Sequence, residues 1–186
     1  IAHAELNYII AYMALRQISN DAEQVAMRAE ANAFTTRINA ACGIPRTGRL
    51  GGRPASENEV NCLAGKFDEE RSRLFKRLNG DAIDEAELTP EQAITIQRLL
   101  KEKGFLPANA PLDGVFGPAT REAIGNWQRS NGQPGTGFGS GSLLAQLQGS
   151  PPTQSRAPEP ALNDSALPRA DISACAAPPY GATTAA

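Results

Sequence analysis

Between Gln97 and Gln128 the chain carries two helix-period apolar runs separated by a turn that its residue types make almost unavoidable. Ile96, Leu99 and Leu100 share one helical face, and Gly104 follows as the kind of residue that closes a helix in the left-handed conformation. Asp113-Gly114 then signals a turn, because Asp bonds its own downstream backbone while Gly accepts positive φ. Phe116 is an apolar plug between Gly114 and Gly117, Pro118 has the fixed φ of a first helical turn, and Ala123, Ile124 and Trp127 continue at helical spacing. The stretch therefore reads as helix, glycine-rich turn, helix.

The flanks extend this pattern. Asp81 to Leu88 reads as an acidic linker, and Thr89-Pro90-Glu91-Gln92 supplies a cap, a first-turn proline and a capping-box glutamine. Lys101 and Lys103 complement the dipole at the end of that helix; Phe105 and Leu106 fold back after Gly104 and Pro107 blocks resumption. A further short helix is expected from about Gly141 to Gln148 with Leu143, Leu144 and Leu147 inward, so that three short helices enclose a small core.

Upstream, Leu6, Ile9, Ile10, Met13 and Ile18 mark one buried helical face. Asn20 and Glu23 form a capping box that starts or kinks a second helix, whose stripe is Val25, Met27, Ala31, Phe34, Ile38 and Ala41. Gly43 to Ala55 is a loop, and Ser56 with Glu59 opens a helix running to about Asn79, with Val60, Leu63, Phe67, Leu74 and Leu78 on one side and Gly80 as its stop. Its other face, Lys66, Asp68, Glu69, Glu70, Arg71, Arg73, Lys76 and Arg77, reads as a solvated surface laced with ion pairs, the functional alternative being a docking face for a basic partner. Cys42 and Cys62 flank the loop between these helices. They are buried thiols or a disulfide; their placement favours a staple, which would contribute on the order of 3 kcal/mol by closing a loop of about twenty residues.

From Gly149 the composition shifts to Pro, Ala, Ser and Thr without apolar period, so residues 151–186 are expected to be a disordered tail, with Cys175 lacking a local partner. The organisation is all-α: a helical hairpin over 1–80, a three-helix domain over 81–150, and the tail. The chain opens at Ile1 directly in a helical pattern, which reads as a fragment or a processed product.

Several function classes are disfavoured. The net charge is −2 and the basic residues are interleaved with carboxylates, unlike a nucleic-acid interface. No apolar run is long enough for a membrane span. Three separated cysteines and the single histidine, His3, do not make a zinc site, and no cofactor is expected. Catalysis lacks its parts: Gly139-Ser140-Gly141-Ser142-Leu143 is not a nucleophile elbow, and Asp68, Glu69 and Glu70 on consecutive helical positions point apart. A non-catalytic protein is expected.

Gln97-x-x-Leu100, Gly104-Phe105, Asp113-Gly114-x-Phe116-Gly117, Thr120-x-x-Ala123-Ile124 and Trp127-Gln128 together resemble the three-helix peptidoglycan-binding domain that anchors many cell-wall hydrolases and envelope enzymes. The resemblance spans roughly Leu88 to Gln148, with one departure: Pro134-Gly135-Thr136-Gly137-Phe138-Gly139 stands where that family often repeats a shorter Asp-Gly turn. It implies non-covalent binding of the wall's peptide stems or glycan in a shallow groove. Asp113, Arg121, Asn126 and Gln128 are the expected exposed hydrogen-bonding groups, Phe116 and Trp127 the apolar contacts, and Thr120 a neighbour at the first turn. The competing reading makes Asp113 a turn stabiliser, Thr120 a first-turn residue and Gln97 a hydrogen bonder at the core edge.

A second resemblance lies upstream. Glu5-Leu6, Tyr12-Met13-Ala14-Leu15-Arg16, Phe34-Thr35-Thr36-Arg37, Ala40-Ala41-Cys42-Gly43 and Cys62-Leu63 with Arg71 look like the later part of the LprI-type lysozyme-inhibitor domain of bacterial envelope proteins. Phe34 stands where that family commonly has Trp, and the family's earlier cysteine-bearing segment is absent. This resemblance implies that Cys42 and Cys62 are disulfide-bonded in an oxidising periplasm. Together the two imply a periplasmic or secreted envelope module that binds peptidoglycan and targets or anchors a larger protein. The alternative is a hairpin that inhibits lysozyme, or binds another envelope protein, concentrated at the wall.

Overall fold

The computed structural model describes residues 2–45 and 53–149, and its regular structure is entirely helical, with no strand among those residues. The helices are α1 (Ala2–Ile18), α2 (Asp21–Ala41), α3 (Glu57–Phe75), α4 (Asp81–Ala86), α5 (Pro90–Glu102), α6 (Pro118–Ser130) and α7 (Gly141–Leu147). The all-α expectation holds. Residues 46–52, within the expected loop, and the expected tail with Cys175 lie outside the described residues.

Each capping box read from the sequence closes. The Asn20, Ser56 and Thr89 side chains accept from the backbone N–H three residues on, and Glu23, Glu59 and Gln92 accept in return from the cap's own N–H at 2.8 Å. These reciprocal bonds satisfy donors that a helix start otherwise leaves orphaned.

α2 and α3 run antiparallel. Cys42 and Cys62 are joined by a disulfide at a Cα separation of 5.6 Å, the Phe34 and Phe67 rings meet at 5.7 Å, and Glu30 pairs with Arg77, so ascending positions on one helix meet descending ones on the other. α1 lays Tyr8 between them, its ring 5.3 Å from Phe34 and 5.6 Å from Phe67. Burial, reinforced by Glu70 and Tyr12, pushes the Tyr8 phenol up to about 12. Ala11 and Ala14, fully buried, let α1 approach its neighbours closely.

Several sequence expectations change. Ile18, at the last position of α1, is exposed rather than buried, and α3 ends at Phe75 rather than near Asn79, so that Gly80 precedes α4 as its N-cap instead of stopping α3. In the α2 stripe only Met27, Phe34 and Ile38 are buried; Val25 is 69 % exposed and Ala41 faces out, because α2 meets its partners along a narrow line. Asp81 to Leu88 is not a linker: α4 occupies most of it and buries Ala82, Glu85 and Ala86, and the cluster that α4 joins includes α1 residues. The acidic composition hides an i, i+4 pair of alanines that suits a close helix contact.

Two hydrophobic clusters result. One gathers Tyr8, Phe34, Ile38, Phe67, Leu74 and Leu78 with the alanines of α1 and α4. The other holds Leu88, Ile96, Leu100, Leu106, Phe116, Ile124, Trp127, Leu143 and Leu147. α1 serves both, since Ile10 is buried in the second cluster and Leu6 packs against it. The boundary that the sequence places after residue 80 thus separates α3 from α4 along the chain, while α1 packs on both sides of it.

Candidate functional site

The site grows from α5. Gln97, 1 % exposed, faces the Asp113-Gly114 turn: its Oε1 accepts from the Gly114 N–H at 2.8 Å, and its Nε2 donates to Asp113 Oδ1 at 3.0 Å and to the Val115 carbonyl at 3.1 Å. Asp113 Oδ1 also accepts from the Val115 N–H at 2.9 Å, closing an Asx turn. Gly114 has φ +74°, and a Cβ there would sit 3.4 Å from both Ile94 and Leu6, within ordinary contact range, so conformation rather than space favours glycine.

The same arrangement recurs one helix later. Gln128 Oε1 accepts from the Gly137 N–H at 2.9 Å, and its Nε2 donates to Thr136 Oγ1 at 3.3 Å and to the Phe138 carbonyl at 3.4 Å. Gly137 has φ +73°. Thr136-Gly137-Phe138 therefore repeats Asp113-Gly114-Val115 contact for contact, with a hydroxyl in place of the carboxylate, and the departure at 134–139 is chemical rather than architectural. The two turns interlock through their following residues: a Cβ on Gly139 would lie 2.2 Å from Phe116 Cε2.

Arg121, on α6, is 8 % exposed and joins elements far apart in sequence. Its guanidinium meets Glu85 of α4 at 2.7 and 3.1 Å, donates to the Met13 carbonyl of α1 at 2.9 Å and to the Gly137 carbonyl at 3.3 Å, and lies 5.3 Å from the Phe138 ring centroid. Glu85, 1 % exposed, also accepts from the Gly139 N–H at 3.0 Å. Burial pushes the Glu85 carboxyl above its ordinary range, against the opposing pull of Arg121 and of the Gly139 N–H. Nothing in the acidic 81–88 run distinguishes Glu85 from its neighbours; the signal would have been the alanines on either side of it at helical spacing.

The expectation of exposed Arg121 and Gln128 is corrected: both are buried and hydrogen-bonded to the second turn. Phe116, Thr120 and Trp127 are buried too, Phe116 and Trp127 within the second hydrophobic cluster. Asp113 and Asn126 are exposed; Asn126 accepts from Arg129 at 2.7 Å. The structure brings Phe116 and Arg121 to one cavity of about 250 Å³, completed by Pro118 and by Met13, Arg16, Gln17 and Gln24 from α1 and α2. Arg16 there donates to Gln24 Oε1 at 3.2 Å. Separate cavities of about 290 and 380 Å³ lie along α2 and α3, both lined by Arg37, Glu70 and Arg73.

Of the acidic residues weighed as catalysts, Glu69 pairs with Lys66 and Glu70 with Arg73, both at 2.9 Å. Among the described residues no His, Cys, Asp and Glu cluster could hold a metal, and no helix is long and apolar enough to cross a membrane.

No curated protein and no solved structure matches the chain. Residues 89–147, the segment from the Thr89 cap to the end of α7 that contains both glutamine-pinned turns, match the family model described as "Putative peptidoglycan binding domain", which supports a peptidoglycan-binding domain there.

Proposed function

We propose that residues 88–148 hold this chain non-covalently to peptidoglycan in the bacterial cell envelope, without a catalytic step, and so target or anchor a larger protein to the wall. The observation that carries the reading is the family match over α5 to α7. Thr120, Trp127 and Gln128, buried as they are, shape the domain, while Asp113, Phe116 and Arg121 stand where ligand contact is feasible: Asp113 on an exposed turn, the other two on a cavity wall. Asp113 uses Oδ1 for both of its turn bonds, leaving Oδ2 outside them to accept from the ammonium or amide groups of a peptide stem. The test is co-sedimentation of the full chain with insoluble peptidoglycan sacculi. Retention is expected, and a chain that stays wholly in the supernatant removes the proposal.

A second reading rests on the other half of the chain. The cavities along α2 and α3 combine the Phe34 and Leu74 surfaces with Arg37, Arg73 and Arg77, a mixture suited to a protein partner and in keeping with the LprI-like resemblance. In that reading the hairpin inhibits lysozyme, or binds another envelope protein, in an oxidising periplasmic or secreted setting, and the wall domain concentrates it. Lysozyme turnover on a soluble substrate should then fall as the chain is added; an unchanged rate eliminates inhibition.

A further inference from the structure

The cavity between α1 and α6 is not contained in the wall-binding segment alone. Phe116, Pro118 and Arg121 supply one wall, but the opposite wall comes from Met13, Arg16 and Gln17 of α1. Its charge is one-sided, since two guanidiniums and no carboxylate line it. Arg121 is already matched by Glu85, whereas Arg16 has no carboxylate within ion-pair distance among the described residues and spends one N–H on the neutral Gln24 amide. The side-chain amides of Gln17 and Gln24 add neutral polar groups, and Phe116 and Met13 add apolar surface. At about 250 Å³ the cavity falls below the roughly 300–1,000 Å³ of pockets for drug-sized ligands, so it suits the end of a peptide rather than a disaccharide.

We propose that this composite cavity is a carboxylate subsite that receives the terminal carboxylate of a peptidoglycan peptide stem, with Arg16 as its principal charge partner. An Arg fork matches a carboxylate in two parallel bonds, and a partly desolvated wall strengthens them. The apolar lining takes the methyl groups of terminal alanines. The subsite rests on the wall-binding reading and deepens it: α1 contributes ligand contacts in addition to covering the domain, so selectivity for stem ends depends on residues outside the family segment.

The test uses the full chain and two probes, acetyl-D-alanyl-D-alanine and its C-terminal amide, titrated by two-dimensional amide NMR, alongside sacculus co-sedimentation. The free acid should shift the Arg16, Gln17 and Arg121 signals, and the amide should bind about tenfold or more weakly. Arg16→Gln and, independently, Gln17→Glu, which adds a carboxylate at an exposed rim position, should each weaken binding of the acid to a similar degree while melting like the parent. Retention on sacculi with equal binding of acid and amide, or with Arg16→Gln and Gln17→Glu both indistinguishable from the parent, overturns the subsite and leaves wall binding standing. Loss of sacculus retention with the acid still preferred overturns the wall reading and keeps a carboxylate site.

Discussion

Arg121→Ala is expected to be the most damaging single change at the surface of contact between the N-terminal helices and α6. It strips Glu85 of its cation in a position 1 % exposed and removes donors from the Met13 and Gly137 carbonyls. Removing one member of a buried ion pair typically costs about 3–5 kcal/mol, mostly because the remaining charge is left without compensation. For a chain of this size that corresponds to a fall in Tm of roughly 6–20 °C. The loss should depend on pH. Burial already holds the Glu85 carboxyl above its ordinary value, and without Arg121 nothing but the Gly139 N–H opposes that shift. A carboxyl with a raised folded pKa favours the folded state most when protonated, so its contribution is full below the unfolded value and is lost as pH rises through the folded one. The variant's deficit should therefore be largest at neutral pH and shrink near pH 4.5.

Urea denaturation followed by circular dichroism at both pH values measures this. The paired change Glu85→Gln with Arg121→Met isolates the cause, because Gln keeps an acceptor for the Gly139 N–H while both charges leave; it should recover most of the loss at neutral pH. An Arg121→Ala variant within about 1 kcal/mol of the parent at neutral pH, or a deficit that does not change on acidification, refutes the argument that this pair joins α1, α4 and α6.

Gln97→Ala should cost about 1–3 kcal/mol, because the buried Gly114 N–H loses its acceptor; hydrogen exchange at Gly114 should quicken by a comparable free energy, and unchanged protection would contradict the pinning role. Gly139→Ala places a Cβ 2.2 Å from Phe116 and should destabilise by about 1–3 kcal/mol, with partial recovery on adding Phe116→Leu, as read by thermal melting. Reducing the Cys42–Cys62 disulfide frees a closed loop of sequence separation 20, and the reduced protein should lose about 3 kcal/mol in urea titrations. Glu59, held down to about 2 first by Arg53 and then by Ser56, supports the start of α3; that support is complete above the ordinary carboxylate value and is lost as pH falls toward about 2, so carboxyl NMR should place its midpoint well below the ordinary carboxylate range.

What could be read in advance follows from the range of each interaction. Capping boxes, the glycine stop at Gly104 and the staple at Cys42 and Cys62 are written in residues a few positions apart or on either side of one loop, and they emerged where expected. The misread positions owe their environment to distant partners. Arg121 and Gln128 are polar residues on an amphipathic helix, which local pattern assigns to solvent, yet each is withdrawn from it by groups that arrive later in the chain or from α1 and α4. Val25 fails the opposite way, since an apolar residue at helical spacing needs a neighbour to cover it and α2 has none there.

The repeated turn explains why the segment matched by the family model could be recognised although most of the residues that identify it are not free to touch a ligand. Gln97 and Gln128 each carry a carboxamide, whose oxygen accepts from the glycine N–H while its NH2 donates to the next carbonyl. Asp113 and Thr136 each accept from the backbone two residues on, so either can precede the glycine. Phe116 then requires Gly139 opposite it, which couples the second turn to the first. These residue types are demanded by backbone geometry. In the proposed wall-binding reading, ligand selectivity is therefore left to positions that the geometry does not constrain, the exposed rim of the first turn and the α1 face of the neighbouring cavity.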